Sequence, residues 1–267
     1  MKWTNEAEEA VSRVPFFIRK RVKKHVEEET ARQGSSEVTI GHVHDCQKKY
    51  MGNMEDEVKG FQVETCFGPS GCPNRAVEDA GVAVRIEELL TSKKLKAFLK
   101  GKVQGPLKFH HEFRVSVSDC PNACSRPQIA DIGLIGACRP EVSDEPCSYC
   151  GACVEGCREN AIRLRGAESE PIVDYSRCLG CGKCISLCPT GTLRVAEKGW
   201  RILVGGKLGR HPQLGKELPS IFTTDEALVI IERFLGFYFQ NNIEGERLGE
   251  VIERAGIKPA SLIPLHK

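Results

Sequence analysis

The sequence lacks long apolar runs, a strong net charge and an apolar leader. Hydrophobic residues make up 40% of its 267 positions, but they never form the run of ~20 that crosses a bilayer, so we expect no membrane insertion. Its 38 Lys and Arg against 36 Asp and Glu leave a formal net charge of +2, which argues against a nucleic-acid partner. Because the first ten residues contain no apolar run, no secretory signal is expected.

Cysteine, in contrast, is abundant. The chain has 14 cysteines, yet it is too long to be a small scaffold held together by disulfides. Cysteine-rich chains without a secretory signal are typical of metal-binding thiolates in a reducing compartment. The sequence therefore predicts metal centres and a cytoplasmic location.

Eight of these cysteines lie between residues 140 and 192, in two runs of the same spacing, Cys-x2-Cys-x2-Cys-x3-Cys. A [4Fe–4S] cubane takes three thiolates from one run, and in duplicated motifs the fourth comes from the other run. We therefore predict two clusters. The cluster that we call site 2 is assigned to Cys147, Cys150, Cys153 and Cys188. The cluster that we call site 3 is assigned to Cys178, Cys181, Cys184 and Cys157.

Two tetrahedral zinc sites are the alternative, since Cys-x2-Cys also suits Zn²⁺. Zinc knuckles usually stop at two cysteines, so two identical runs of four favour clusters. The segment resembles bacterial two-cluster ferredoxins over about 50 residues, except that Arg158 follows Cys157 where that family often has proline. The resemblance implies electron transfer.

A further four cysteines form two pairs, Cys66-x5-Cys72 and Cys120-x3-Cys124. Together they could hold a third [4Fe–4S] cluster, which we call site 1. Glycine and proline surround them, so we expect tight turns that point backbone N–H groups at the cluster sulfurs. Cys46 and Cys138 have no partner by spacing and are expected to be ordinary small side chains.

Four stretches around these pairs, residues 61–72, 117–136, 204–212 and 246–249, resemble the sirohaem and [4Fe–4S] region of sulfite and nitrite reductases. The inserted ferredoxin segment makes the likeness greatest to the dissimilatory and anaerobic sulfite reductases. The resemblance implies that the Cys124 thiolate binds both the site 1 cluster and the iron of sirohaem. It also implies six-electron reduction of sulfite to sulfide, or of nitrite to ammonia.

Such a reaction needs positive charge to hold a small inorganic anion, and the carboxylates of sirohaem need basic partners. Arg126, Lys207 and Arg210 are the candidates for both roles, catalytic and cofactor-binding, with Cys124 as the axial ligand. Lys108, His110, His111 and Arg114 form a second basic group before Cys120. For each of these side chains, pairing with a carboxylate or lying at the surface is the alternative.

The N-terminal segment reads as helices over 5–13 and 16–32. Trp3, residues 13–19 and residues 39–43 resemble a small domain at the C-terminus of a light-independent protochlorophyllide reductase subunit. The resemblance suggests a lid over a tetrapyrrole. A helical accessory that packs on the core or mediates dimerisation is the alternative.

Further along, the pattern predicts a helix over 77–99 interrupted near Thr91, a strand over 114–118, and strands over 192–196 and 201–204 joined by a turn at Lys198–Gly199. A capping box at Thr223 and Glu226 predicts the start of a strong helix, and a short helix follows over 245–255.

Taken together, these patterns predict an α+β chain. We expect a helical N-terminal domain over 1–55, a sirohaem–[4Fe–4S] domain built from 60–138 and 193–260, and a ferredoxin domain over 139–192. Only about 60 residues precede Cys66, fewer than the sulfite reductase pattern implies, so a homodimer or a partner subunit is expected to complete the pocket. An electron donor protein is also expected. The alternatives are a non-catalytic iron–sulfur electron-transfer subunit that has lost the haem, and a tetrapyrrole-processing or carrier role.

Overall fold

Residues 1–58, together with 105–109, form a helical unit in the computed structural model, which describes residues 1–79, 81–164, 166 and 170–263 of the chain. Its elements in chain order are β1 (Lys2–Trp3), α1 (Asn5–Ser12), α2 (Phe16–Arg32), β2 (Glu37–Val38) and α3 (Ile40–Glu57). The two predicted helices are confirmed, and α2 has the predicted bounds. Thr4 caps α1 by accepting a hydrogen bond from the Ala7 N–H.

A small core holds the helical unit together. Its buried members are Ala7, Val11, Val26, Val38, Val43 and Cys46. The cysteine is thus an apolar packing residue, as the sequence predicted. On the outside, Phe16 and Phe17 at the start of α2 are 83% and 73% exposed and contact each other edge to face.

The second unit comprises residues 59–104 and the chain from 110 onward. Its elements in chain order are β3 (Phe61–Thr65), α4 (Val82–Ser92), α5 (Leu95–Lys100), β4 (Phe113–Ser118), β5 (Ile132–Val142), α6 (Ala152–Glu155), β6 (Ile162–Leu164), β7 (Pro171–Val173), α7 (Lys183–Leu187), β8 (Leu193–Val204), β9 (Lys216–Phe222), α8 (Thr224–Asn241) and α9 (Leu248–Arg254). Together with the helical unit this is an α+β architecture, as predicted.

A five-stranded sheet of order β3-β4-β5-β8-β9 forms the centre of this unit. The first three strands are parallel, and β8 and β9 are antiparallel to their neighbours. Helices α4 and α8 pack against the sheet, with Ile86, Phe113, Trp200 and Phe234 among the buried side chains of the core. Strands β6 and β7 pair separately, within the cysteine-rich segment.

The predicted turn at Lys198–Gly199 is wrong, because β8 runs without interruption through both residues. Gly199 pairs with Ala137 of β5. A Cβ atom on this glycine would lie 2.3 Å from the Phe222 carbonyl oxygen of β9. The glycine therefore does not form a turn. It lies inside a strand, where its lack of a side chain permits the close approach of β9.

The helices of this unit agree more closely with expectation. Within the predicted 77–99 segment, α4 begins only at Val82, residues 77–79 are not helical, and Ala80 lies outside the described residues. The helix breaks at Lys94, in a left-handed conformation (φ 52°), before α5. The capping box is confirmed, since Thr223 Oγ1 accepts from Glu226 N–H while the Glu226 carboxylate accepts from Thr223 N–H. No helix within the described ranges combines the length and the apolar character needed to cross a bilayer.

Candidate metal centres and cofactor cleft

The site 1 cysteines lie in the loops that follow two neighbouring strands. Cys66 comes directly after β3, and a single residue, Asp119, separates Cys120 from the end of β4. Because β3 and β4 are parallel and paired in register, their carboxyl ends meet at the same edge of the sheet. Cys66 Sγ accepts hydrogen bonds from Gly68 N and Asp119 N, both at 3.3 Å. One of the two donors is thus a glycine of the turn, as the sequence predicted.

All four site 1 thiols are close enough to interact electrostatically. Burial raises the pKa of Cys120, and the neighbouring thiolates of Cys124, Cys66 and Cys72 raise it further. Cys124 differs from the other three because its side chain is exposed, and its Sγ accepts a hydrogen bond from Asn122 Nδ2 at 2.9 Å. A cationic centre at this point would relieve the repulsion among the thiolates.

A buried ion pair next to site 1 was missed by the sequence analysis. Asp119 accepts a hydrogen bond from Arg75 Nε at 2.7 Å, and its backbone carbonyl accepts from Ala76 N at 2.8 Å. A Cβ on Gly68 would lie 2.2 Å from the Asp119 carboxylate. The signal available in the sequence was the carboxylate immediately before Cys120. These contacts of Asp119 hold its loop in the conformation in which the Asp119 N–H donates to Cys66 Sγ.

The cysteine-rich segment contains two equivalent short helices, α6 and α7. Each is preceded by a glycine in the left-handed conformation, Gly151 (φ 74°) and Gly182 (φ 73°), located between the second and third cysteines of its run. The third cysteines, Cys153 and Cys184, are buried at these helices. The identical spacing of the two runs therefore folds into the same local structure twice.

The structure brings together the four cysteines of site 3. Burial raises the pKa of Cys184 to about 12, and the neighbouring Cys181, Cys178 and Cys157 thiolates contribute in the same direction. All four line one cavity with an empty volume of about 350 Å³. Cys157, from the first run, is thus a neighbour of the second run, which is the exchange that the duplicated motif requires.

The cysteines of site 2 also approach one another, although the structure shows fewer contacts among them than among those of site 3. Burial raises the pKa of Cys153, and Cys147 and Cys150 raise it further. Cys188 and Cys153 both belong to the small apolar cluster that contains Leu193, and this cluster also includes Cys184 and Cys157 of site 3. Burial opposes ionisation of Cys188, but hydrogen bonds from Leu193 N–H, Thr190 and Gly191 outweigh it and lower its pKa to about 7.

The donor set suits iron–sulfur clusters. All 14 cysteines carry free thiols. Within the part of the chain that the structure describes, no three His, Cys, Asp or Glu side chains converge as the ligands of a single ion would. A cubane does not require such convergence, because each thiolate binds a different iron atom. Backbone N–H groups already point at Sγ atoms in all three sites, at Cys66, Cys147, Cys157 and Cys188.

An open cleft lies beside the segment that carries Cys124. Its empty volume is about 400 Å³, and residues that line it are Glu64, Arg114, Ser116, Ser125, Arg126 and Leu208. Arg126 adopts a left-handed conformation (φ 60°). Its guanidinium is 72% exposed and lies 3.9 Å from the Glu64 carboxylate. Of the three candidate anion-binding residues, Arg126 is the one that lines this cleft.

The other two candidates have different surroundings. Lys207 is buried, and its Nζ lies 2.6 Å from Glu250 Oε1 of α9. Its backbone pairs with Gln213 across the intervening loop, which carries Arg210 on its exposed surface. Lys207 thus pairs with a carboxylate, which the sequence analysis gave as the alternative to an anion-binding role. Arg210 is accessible from solvent.

Comparison with known proteins connects these sites to families. Residues 61–260 match the family model described as "Nitrite and sulphite reductase 4Fe-4S domain". Residues 3–46 match the model described as "Proto-chlorophyllide reductase 57 kD subunit". The first range lies in the second unit except for residues 105–109, which belong to the helical unit, and the second range lies in the helical unit.

Individual relatives agree with the family match. The chain is 39% identical over 148 residues to a coenzyme F420-dependent sulfite reductase of Methanocaldococcus jannaschii, covering 55% of this chain and 23% of the relative. It is 25% identical over 208 residues to one subunit of the anaerobic sulfite reductase of Salmonella typhimurium, covering 74% and 56%. The chain therefore spans about a quarter and about half of these two relatives.

The fold is shared with a solved structure. Dissimilatory sulfite reductase I superimposes with a TM-score of 0.50 at 18% identity, covering 82% of this chain and 59% of that one. The family model covers most of the chain, and the cysteines of site 1 lie within the matched range. The protein belongs to the nitrite and sulphite reductase 4Fe-4S domain family.

Proposed function

We propose that the protein is a sirohaem- and iron–sulfur-dependent oxidoreductase that reduces sulfite to sulfide, or nitrite to ammonia. It would hold three [4Fe–4S] clusters, in sites 1, 2 and 3, and receive electrons through the cysteine-rich segment from a donor protein. The observation that carries the proposal is the position of Cys124. This thiol is exposed, belongs to the mutually interacting site 1 group, and lies two residues from an arginine that lines an open cleft.

The residues present fit a tetrapyrrole at this cleft. An exposed thiol has free lone pairs for a second metal, whereas the Sγ of a buried ligand is enclosed. Arg114 and Arg126 among the lining residues supply the positive charge that the carboxylates of such a macrocycle need. When bound, sirohaem would supply an iron that takes the anion and passes electrons to it.

Arg126 and Arg210 would then provide positive charge for a small anion or for carboxylates of the macrocycle. The exposed guanidinium of Arg126, a residue that lines the cleft, supports this role. Arg210 would act from its solvent-exposed loop. We assign Lys207 a supporting role at the same site, because its ion pair with Glu250 fastens that loop to α9.

A second wall for the cleft would come from another copy of the chain or from a partner subunit. One side of the cleft is open, and the chain spans only part of its relatives. One of those relatives is named as a subunit. The abundance of free thiols suits a reducing compartment, so we place the protein in the cytoplasm.

The proposal is tested by turnover of anaerobically purified holoprotein with reduced viologen as donor and sulfite or nitrite as acceptor. We expect oxidation of about six viologens per anion consumed, as the six-electron chemistry requires. Arg126→Ala should lower the rate, whereas Arg194→Ala serves as the control because that arginine is similarly exposed and paired with Glu141. A fully loaded protein inert toward both anions would overturn the reductase assignment.

A non-catalytic electron-transfer subunit is the second candidate. The ion pairs of Lys207 with Glu250 and of Arg126 with Glu64 favour it, because two of the three candidate anion-binding groups then have a carboxylate partner. Such a protein would hold its clusters and pass electrons to a partner enzyme without binding an anion itself. It would show cluster absorption without the bands of a sirohaem.

A further inference from the structure

Strand β5 connects the edge of the sheet that carries site 1 with the loop that carries site 3. At Gly136 the strand lies directly against Asp119, since a Cβ there would be 2.3 Å from the Asp119 carbonyl oxygen. Asp119 N in turn donates to Cys66 Sγ at 3.3 Å. The β5 backbone at Gly136 therefore contacts Asp119, and Asp119 in turn is hydrogen-bonded to the site 1 sulfur of Cys66.

Two residues further along, the same strand contacts site 3. Cys138 N donates to the Gly180 carbonyl at 2.6 Å, and Cys138 forms an isolated parallel bridge with Cys181. A Cβ on Gly182 would lie 3.2 Å from Cys138 Sγ. The site 3 loop thus adds its backbone to the strand at Cys138, and the second cysteine run could not be moved along the strand without losing these contacts.

Site 2 lies at the far end of the same strand pair. The last residue of β5, Val142, pairs with Leu193 of β8, and Leu193 N donates to Cys188 Sγ at 3.5 Å. Just beyond β5, Ser143 N donates to the Thr192 carbonyl at 2.7 Å. A strand rises about 3.3 Å per residue, so Cys138 is about 7 Å along β5 from Gly136 while Val142 is about 20 Å along it.

From this ladder we propose that the site 3 cluster is the direct electron partner of the site 1 cluster, and that the site 2 cluster accepts electrons from the external donor. In each transfer one cluster loses a single electron and its neighbour gains it, with the donor protein supplying the electrons. The connection between sites 1 and 3 is the backbone from Gly136 to Cys138 and its hydrogen bonds. Cys138 is a positioning residue for the site 3 loop. Exposure does not distinguish the two sites, since Cys150 of site 2 and Cys181 of site 3 are both exposed. The donor is assigned to site 2 because this site lies farther along β5 from site 1.

This order rests on the proposed iron–sulfur function, and electron paramagnetic resonance of the dithionite-reduced holoprotein tests both separately. Cys72→Ala, Cys150→Ala and Cys181→Ala should each remove one cluster signal, which assigns the three signals to sites 1, 2 and 3. Neighbouring reduced clusters broaden each other's signals. We expect the site 1 signal to lose its broadening in Cys181→Ala and to keep it in Cys150→Ala.

The opposite pattern, in which Cys150→Ala relieves the broadening and Cys181→Ala does not, would overturn the order while leaving three clusters in place. A wild-type protein without three cubane signals would overturn the proposed function and the order together. The two failures are thus distinguishable.

Cys178→Ala, which removes a different ligand of site 3, keeps the order testable should Cys181→Ala fail to fold. A further pair of variants tests the positioning role of Cys138. Cys138 and Cys46 are unassigned cysteines with the same 7% exposure, and Cys46 lies in the helical unit. Cys138→Val should shift the midpoint potential and the line shape of the site 3 signal, because the new methyl groups would press on Gly182. Cys46→Val should change neither. Equal spectra in both variants would contradict the role of Cys138.

Discussion

Lys207 Nζ and Glu250 Oε1 lie 2.6 Å apart, and they join the loop after β8 to the first turn of α9. The lysine side chain is 7% exposed and the glutamate 40%. Lys207→Met should cost about 1–2 kcal/mol of unfolding free energy, less than a fully buried pair would, because solvent screens the glutamate. Chemical denaturation measures the loss. Reduced anion turnover at unchanged stability would instead place the lysine in the catalytic machinery.

The same pair predicts a dependence on pH. Burial opposes ionisation of Glu250, but the hydrogen bond from Lys207 and that from Arg247 N–H outweigh it, so the pKa of this carboxyl is lowered from its ordinary 4.5. A lowered pKa stabilises the fold above the ordinary value, and that stability is lost as pH falls through the folded value. Wild type should therefore exceed Glu250→Gln in stability at neutral pH and lose this advantage below about pH 4.5, in parallel denaturation curves.

Asp131 is a buried acid that joins the start of α9 to the central sheet. It is fully buried and accepts hydrogen bonds from the guanidinium of Arg247, from Leu248 N and from Arg114 N. Asp131→Ala would leave the arginine charge uncompensated, and we expect a loss of about 3–5 kcal/mol. Asp225→Ala is the control, since this acid pairs with Arg85 at the surface and should cost less than about 1 kcal/mol.

Glycine-to-alanine substitutions should have opposite effects on stability in the turn at site 1 and in helix α8. Gly68→Ala would push a methyl group into the Asp119 carboxylate and disturb the N–H that reaches Cys66, so iron content and unfolding temperature should both fall. Gly236 in α8 has open space around its Cβ position. Gly236→Ala should therefore raise stability by about 0.5–1 kcal/mol and leave the iron content unchanged.

The two cysteine systems should respond differently to loss of a ligand. Cys124→Ala is expected to disturb both the site 1 cluster and the bound sirohaem, because one sulfur would serve both. Cys181→Ala is expected to leave the sirohaem spectrum intact while removing the site 3 signal. Absorption and iron analysis of the two variants provide the comparison, and equal loss of sirohaem from both would contradict separate centres.

The sequence predicted the parts of the structure that depend on local chemistry. The capping box at Thr223 and the bounds of α2 both follow from residues close together in the chain. The family resemblance at residues 61–72 and 117–136 was confirmed by the family match over 61–260.

What depends on contacts between distant segments could not be predicted. Gly199 looked like a turn because the strand that approaches it, β9, follows more than a dozen residues later. Lys207 looked like an anion-binding group because its partner, Glu250, lies 43 residues away. The pairing of Cys138 with the site 3 loop likewise depends on a bridge to Cys181, which lies 43 residues later and beyond the first cysteine run.

The most direct test of the account is the absorption spectrum of anaerobically purified protein, read together with its iron content. The account predicts a Soret band and a red band of sirohaem, with about twelve irons in three cubanes and one more in the macrocycle. A broad iron–sulfur shoulder alone, in protein whose clusters are fully loaded and whose partner subunit is present, would contradict it and leave an electron carrier.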